Sequence, residues 1–184
     1  NMSAVGLFVM PVLAAISVWL VSIDLSVEPV MPALRSYWLA VHVSAAVIAY
    51  GSFAVSFAVA IAYLIKDKKE HDSTSRVHEL PSLKVLDEVS YKLIFVGLPF
   101  LTIMLVTGAV WAEYAWGSFW SWDPKETWAF ATWISYLLYL HLRPSYKNRQ
   151  VLFFWLFFSF ILLQMCWWGI NFLPSAQGTS VHTY

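Results

Sequence analysis

Charge is scarce in this chain of 184 residues: Asp, Glu, Lys and Arg make up 12% of it, and the formal net charge is zero. The few basic residues sit in short clusters between apolar stretches. That pattern excludes a nucleic-acid surface and leaves no nucleic acid among the expected partners. Cysteine is scarcer still. Cys166 is the single one, so no internal disulfide can form, there is no Cys-x-x-Cys pair, and any thiol chemistry must come from a partner. What fills the chain instead is apolar, with 60% hydrophobic and 18% aromatic residues. This is too apolar for an ordinary soluble domain of such length, and it places the protein in a bilayer.

A spanning helix needs about 20 apolar residues to cross a hydrocarbon core about 30 Å thick. Windows of that kind fall at 4–23, 37–65, 93–111, 124–142 and 151–173. The expected fold class is therefore all-α, a polytopic membrane helix bundle of about five transmembrane helices that forms a single membrane domain over 1–184. Positive charge is retained on the cytoplasmic side. Lys66, Lys68, Lys69, Arg76, Lys84 and Lys92 separate the second and third spans, and Arg143, Lys147 and Arg149 separate the fourth and fifth; only Arg35 and Lys125 lie on the other side. The N-terminus is thus expected in the cytoplasm, and the segment 113–128 and the tail 174–184 outside. The first span has neither a basic lead-in nor a small-residue cleavage site, so it reads as a membrane helix rather than a signal peptide. The chain starts at Asn1, and further sequence upstream is expected.

One segment concentrates the chemistry: Trp116-Gly117-Ser118-Phe119-Trp120-Ser121-Trp122-Asp123-Pro124-Lys125-Glu126-Thr127-Trp128. Indoles at this density form a rigid surface that is costly to leave in water, while the charges among them forbid deep burial in lipid. A flat amphipathic ligand at the membrane surface reconciles the two. Asp123, Pro124 and Glu126 hold the N-cap, first-turn and capping-box positions of a helix, so the fourth span begins inside this segment. Its dipole, with Lys125, favours an anionic group such as a carboxylate; the plainer reading is that Asp-Pro-x-Glu only starts a helix. If the residues before Asp123 are helical, Trp116, Phe119 and Trp120 share a face and form a platform. The plainer reading there is an interfacial aromatic belt.

Imidazole can coordinate haem iron from both sides, so the five histidines come next. His42 lies five residues into the second span, close to the outer surface, and His182 lies in the outer tail. Both can approach the aromatic segment, which permits a bis-histidine site roofed by tryptophan. His141 lies about 25 Å along the fourth helix from Pro124, near the cytoplasmic surface, where it is either functional or snorkels toward water. Any partner ligand for it must come from another chain or from a missing segment. His71 and His78 sit in the charged linker and read as solvated.

These residues resemble a known family, the haem-handling proteins with a tryptophan-rich WWD signature, and in particular the System II cytochrome c synthetases of the CcsA or ResC type. The matching elements are the segment Trp116 to Trp128, Trp38-Leu39-x-x-His42-Val43, His141-x-Arg143, and the terminal His182-Thr183-Tyr184, with Val181 and Thr183 departing from the family's usual residues. The resemblance implies that His42 and His182 are external axial ligands to haem b, held against a site that includes Trp116, Gly117, Trp120, Trp122 and Asp123. It also implies that His141, with Arg143 nearby for a propionate or a lipid phosphate, receives haem from the cytoplasmic side. The second membrane histidine would come from a CcsB or ResB partner, or from the other half of a CcsBA fusion. The implied activity is holocytochrome c synthase, with thioether attachment of haem to the Cys-x-x-Cys-His segment of apocytochrome c, in a bacterial or thylakoid membrane. No residue is an obvious general acid or base. Two other classes stand beside this one. A haem exporter or chaperone would use the same ligands without ligation, and an electron-transfer subunit of the cytochrome b sort would need paired histidines within the spans.

Overall fold

The computed structural model describes residues 35–69, 80–146 and 148–168, together with Ala14 and Val18. Ala14 and Val18 belong to a unit covering Asn1–Pro32, and the others to a unit covering Ala33–Tyr184. Among the described residues of the second unit four helices follow one another: α1 (Tyr37–Lys69), α2 (Leu83–Trp116), α3 (Pro124–Leu142) and α4 (Arg149–Trp167). No strand occurs among the described residues, and the fold is all-α. Apart from Ala14 and Val18, the span expected at 4–23 lies outside the described residues, as does the tail 174–184.

Three helices start where a short polar side chain takes up a backbone N–H that has no partner within the helix. Ser82 Oγ accepts from Val85 N at 3.4 Å, Asp123 Oδ1 from Lys125 N at 2.8 Å, and Asn148 Oδ1 from Gln150 N at 3.0 Å. Helix α2 contains the apolar stretch 93–111 but runs further at both ends, because Lys84, Glu88 and Lys92 continue the helix before it and Glu88 pairs with Lys92 at 2.8 Å. With 33 and 34 residues, α1 and α2 are each about 50 Å long. Both therefore exceed the thickness of a hydrocarbon core.

Helix α1 packs along α2 and α3 along α4, while contacts between α2 and α3 and between α1 and α4 close the bundle. Ala45, Ala49 and Ala60 on the buried face of α1 let its backbone approach its neighbours. Phe53 of α1 stacks flat on Tyr136 of α3, with ring centroids 3.8 Å apart. Two buried hydroxyl pairs pin the helices laterally: Ser56 with Ser90 at 2.8 Å and Ser135 with Ser159 at 2.7 Å. In an apolar interior each hydroxyl satisfies the other.

Helices α1, α2 and α4 are long and apolar enough to cross a membrane. The outer faces of the bundle expose Val47, Val55, Phe95, Val106, Phe154 and Ile161, an apolar exterior that lipid tolerates and water does not. Helix α3 is less apolar because its buried face carries Thr132, Ser135, Tyr136 and Tyr139, whose polar groups point into the bundle. The protein is a polytopic helical membrane protein. One end of the bundle is charged, with Lys66 donating to Leu80 O at 2.9 Å, Arg143 paired to Asp87, and Gln150 donating to Asp67 Oδ2 at 2.6 Å. The other end, where α2 hands over to α3, is tryptophan.

Candidate functional site

Local chemistry sets the handover between α2 and α3. Gly117 ends α2 in the left-handed conformation, at φ 78°, and its N–H returns to Glu113 O at 2.9 Å. Glycine adopts that geometry without the steric cost a Cβ brings. The residues before Asp123 are consequently not helical, and the shared helical face expected of Trp116, Phe119 and Trp120 does not form. Trp122 is itself left-handed, at φ 58°, an uncommon conformation for a bulky residue that surrounding contacts must hold. Those contacts are present. Glu126 Oε2 accepts from Ser121 N at 2.9 Å and from Asp123 N at 3.2 Å, on either side of Trp122. Thr127 Oγ1 donates to Trp122 O at 3.3 Å and to Asp123 O at 3.0 Å. The polar half of the motif is therefore a clamp on its aromatic half, and the capping box that starts α3 also fixes the tryptophan loop.

The clamp presents Trp120 between two cavities. The larger, about 480 Å³, opens among the N-terminal ends of α1 and α3 and the C-terminal ends of α2 and α4; His42, Tyr50, Trp111, Phe119, Trp120 and Cys166 are on its wall, with Lys125 and Glu126 from the first turn of α3. The smaller, about 380 Å³, is almost wholly apolar and is bounded by Val106, Trp120, Trp122, Phe130 and Trp133. Trp120 meets Trp122 and Phe130 edge-on, at 5.7 and 6.1 Å between centroids. Its indole Nε1 is buried with no hydrogen-bond partner.

His42 is oriented from across the helix pair. Its Nδ1 lies 2.8 Å from the carbonyl oxygen of Met104 on α2. A carbonyl can only accept, so in the neutral ring Nδ1 carries the proton and Nε2 the lone pair. That is the tautomer a metal-ligating imidazole needs. Among the described residues no group of three or more His, Cys, Asp or Glu side chains could hold a bare metal ion. His42 is on the wall of a cavity that also carries indole rings, and the cavity volume lies within the range of ordinary ligand sites.

The structure thus brings His42 and Trp120 to one cavity, and the other expected residues among those described do not line it. Trp116 is half-exposed and packs edge-on against Trp111 at 5.7 Å. Trp122 faces the smaller cavity, Gly117 makes the turn, and Asp123 caps α3. His141 is exposed at the charged end, its Nδ1 2.9 Å from Leu137 O in the preceding turn. Arg143 Nη2 is bonded to Asp87 Oδ2 at 2.8 Å. His182, His71 and His78 lie outside the described residues. Sequence reasoning missed Met104, Gly108, Trp111 and Asp87. Of these only Gly108 carried a signal, since an isolated glycine in an apolar helix marks close approach by a neighbour.

The sequence profile described as Cytochrome C assembly protein matches residues 1–176. The cytochrome c biogenesis protein CcsA of Chlamydomonas reinhardtii is 37% identical over 159 residues, covering 85% of this chain and 43% of that protein. CcsA of Guillardia theta is 36% identical over 175 residues, covering 85% and 56%. CcsA of Synechococcus sp. (strain CC9902) is 36% identical over 184 residues, covering 86% and 59%. The chain spans about half the length of these relatives. A helical membrane bundle, a clamped tryptophan loop and a sequence match over nearly the whole chain lead to one conclusion: the chain belongs to the cytochrome c assembly protein family, among its CcsA-type cytochrome c biogenesis proteins.

Proposed function

We propose that this chain is the haem-holding part of a cytochrome c synthetase, in which haem b is a substrate bound in the larger cavity with His42 as one axial ligand and His182 as the other. The observation that carries this reading is the His42 imidazole, whose Nδ1 is engaged by Met104 O at 2.8 Å on the wall of a cavity lined by Trp111, Phe119 and Trp120. The indoles supply an apolar wall for a porphyrin face. Lys125, in the first turn of α3, supplies positive charge for a propionate, reinforced by the helix dipole.

The charged end of the bundle, with Lys66, Arg143 and Arg149, lies on the cytoplasmic or stromal side in this reading, and the tryptophan loop faces the periplasm or lumen. Helix α3 then crosses the bilayer shielded by its neighbours. His141 receives haem near the cytoplasmic surface, and its second ligand comes from a CcsB- or ResB-type partner. An apocytochrome c brings the two thiols of its Cys-x-x-Cys-His segment to the haem vinyl groups. Each S–H adds across one vinyl double bond, so no oxidant is consumed. The contribution of this chain is positioning, which is worth about 7 to 11 kcal/mol of barrier when the reacting groups are well aligned. Glu126 is committed to the loop clamp and is not the acid or base.

The test uses the full-length protein with its partner half, carrying His42→Ala or His182→Ala, co-expressed with an apocytochrome c. The expected result is loss of the low-spin bis-imidazole absorption bands and of covalent haem on the substrate, with partial recovery on adding imidazole. Unchanged bands in both variants would refute the ligand assignment. Bands present in the unsubstituted protein without covalent haem on the substrate would favour a carrier over a synthetase.

A further inference from the structure

Met104 O, the carbonyl that orients His42, lies one helical turn before Gly108, and its ladder partner in α2 is the N–H of that glycine. A Cβ at Gly108 would stand 2.7 Å from His42 Nδ1 and 2.8 Å from its Cε1, far inside the usual contact separation of about 3.5 to 4.0 Å. The imidazole therefore occupies the volume that any other residue at 108 would fill, and it reaches the carbonyl over a bare α-carbon. Gly97 on the same helix is as closely approached, a Cβ there standing 2.7 Å from Phe53 Cε1, but its neighbour is a packing ring without a polar atom, and a Cβ at Gly51, on α1, would have nothing within 4 Å.

We infer that Gly108 is the positioning residue for His42: its missing side chain admits the imidazole to Met104 O, which sets the ring's tautomer and its aim into the cavity. The inference rests on the reading of His42 as an iron ligand and deepens it. The helix ladder separates this role from one in folding. Displacing the imidazole leaves the Met104 carbonyl its bond from Gly108 N–H, so α2 keeps its hydrogen bonding while His42 loses its orientation. Removing a group that orients a metal-ligating histidine typically lowers affinity about 10- to 100-fold.

The experiment compares Gly108→Ala, Gly51→Ala and His42→Ala in the full-length protein with its partner half, reading membrane accumulation, haem per protein and the spin state of the bound iron. The expected result for Gly108→Ala is near-normal accumulation, haem occupancy down about 10- to 100-fold or a shift from low-spin to high-spin iron, and recovery with added imidazole. Gly51→Ala should match the unsubstituted protein. Low-spin haem at normal occupancy in Gly108→Ala would overturn the inference, as would a loss that imidazole does not restore. If Gly108→Ala fails to accumulate, the double variant His42→Ala/Gly108→Ala decides, because removing the imidazole makes room for the methyl group. Restored accumulation supports the contact, and continued failure overturns it. Normal spectra in His42→Ala would instead sink the ligand reading and leave the contact between Gly108 and His42 a matter of packing.

Discussion

Arg143 Nη2 lies 2.8 Å from Asp87 Oδ2, and the same guanidinium sits over Tyr91 with its Cζ 4.2 Å from the ring centroid. Arg149 approaches the same carboxylate at 3.7 Å. One acid on α2 thus gathers two cations from the α3–α4 junction. The Asp87 side chain is 16% exposed and that of Arg143 19%, so water covers little of the pair. Arg143 has a structural partner even though sequence alone offered it only a ligand to hold.

Asp87→Asn should destabilise the bundle, because it leaves two partly buried guanidiniums facing a neutral amide. The cost should be roughly 2 to 3 kcal/mol, below the 3 to 5 of a fully buried pair. Thermal unfolding in detergent measures it, and the cycle with Arg143→Gln isolates the pair. A coupling under about 0.5 kcal/mol would show the two sites to be independent. Arg143→Lys with Asp87 intact should also destabilise the bundle, since an ammonium cannot keep both the carboxylate geometry and the stacking on Tyr91.

Glu126→Ala should loosen the tryptophan loop before it affects α3, since Glu126 Oε2 serves Ser121 N, Ser121 Oγ and Asp123 N together. The expected cost is about 1 to 2 kcal/mol, with faster amide exchange concentrated at Ser121 and Asp123. Glu126→Gln keeps an acceptor oxygen and should lose less. Equal exchange in the unsubstituted protein and in Glu126→Ala would mean the loop is held by its aromatics alone.

Trp120→Ala should merge the two cavities, because its ring is common to both walls. Haem retention should fall about tenfold, equivalent to the roughly 1.4 kcal/mol that aromatic packing supplies beyond burial. Trp122→Ala, which opens only the smaller cavity, should have a weaker effect, and Trp19→Ala in the first expected span weaker still. Haem per protein after detergent washing reads the order. Equal losses in all three would reduce the tryptophans to an interfacial belt.

Much of this is legible in the sequence. Asp123, Pro124 and Glu126 announce the start of α3 through rules that act within one turn of chain, and α3 runs Pro124–Leu142. The length of the apolar runs marks α1, α2 and α4. The platform expected from Trp116, Phe119 and Trp120 depended on helix continuing past Gly117, and the left-handed turn there stops it. Local rules favour such a stop at glycine without requiring it. Glu126 shows the same limit: its capping role follows from spacing, whereas its hold on Ser121 follows from the path of the loop around Trp122.

What the sequence by itself determined is the all-helical membrane character, the position of the aromatic segment at a helix start, and membership of the cytochrome c assembly family. These depend on composition, on the length of the apolar runs and on residues adjacent in the chain. Only the tertiary structure decided that Met104 orients His42, that Gly108 makes room for it, and that Asp87 gathers Arg143 and Arg149. Each of those contacts joins residues more than fifty positions apart, with no fixed spacing to announce them. Packing two helices side by side is what brings such groups within hydrogen-bonding distance.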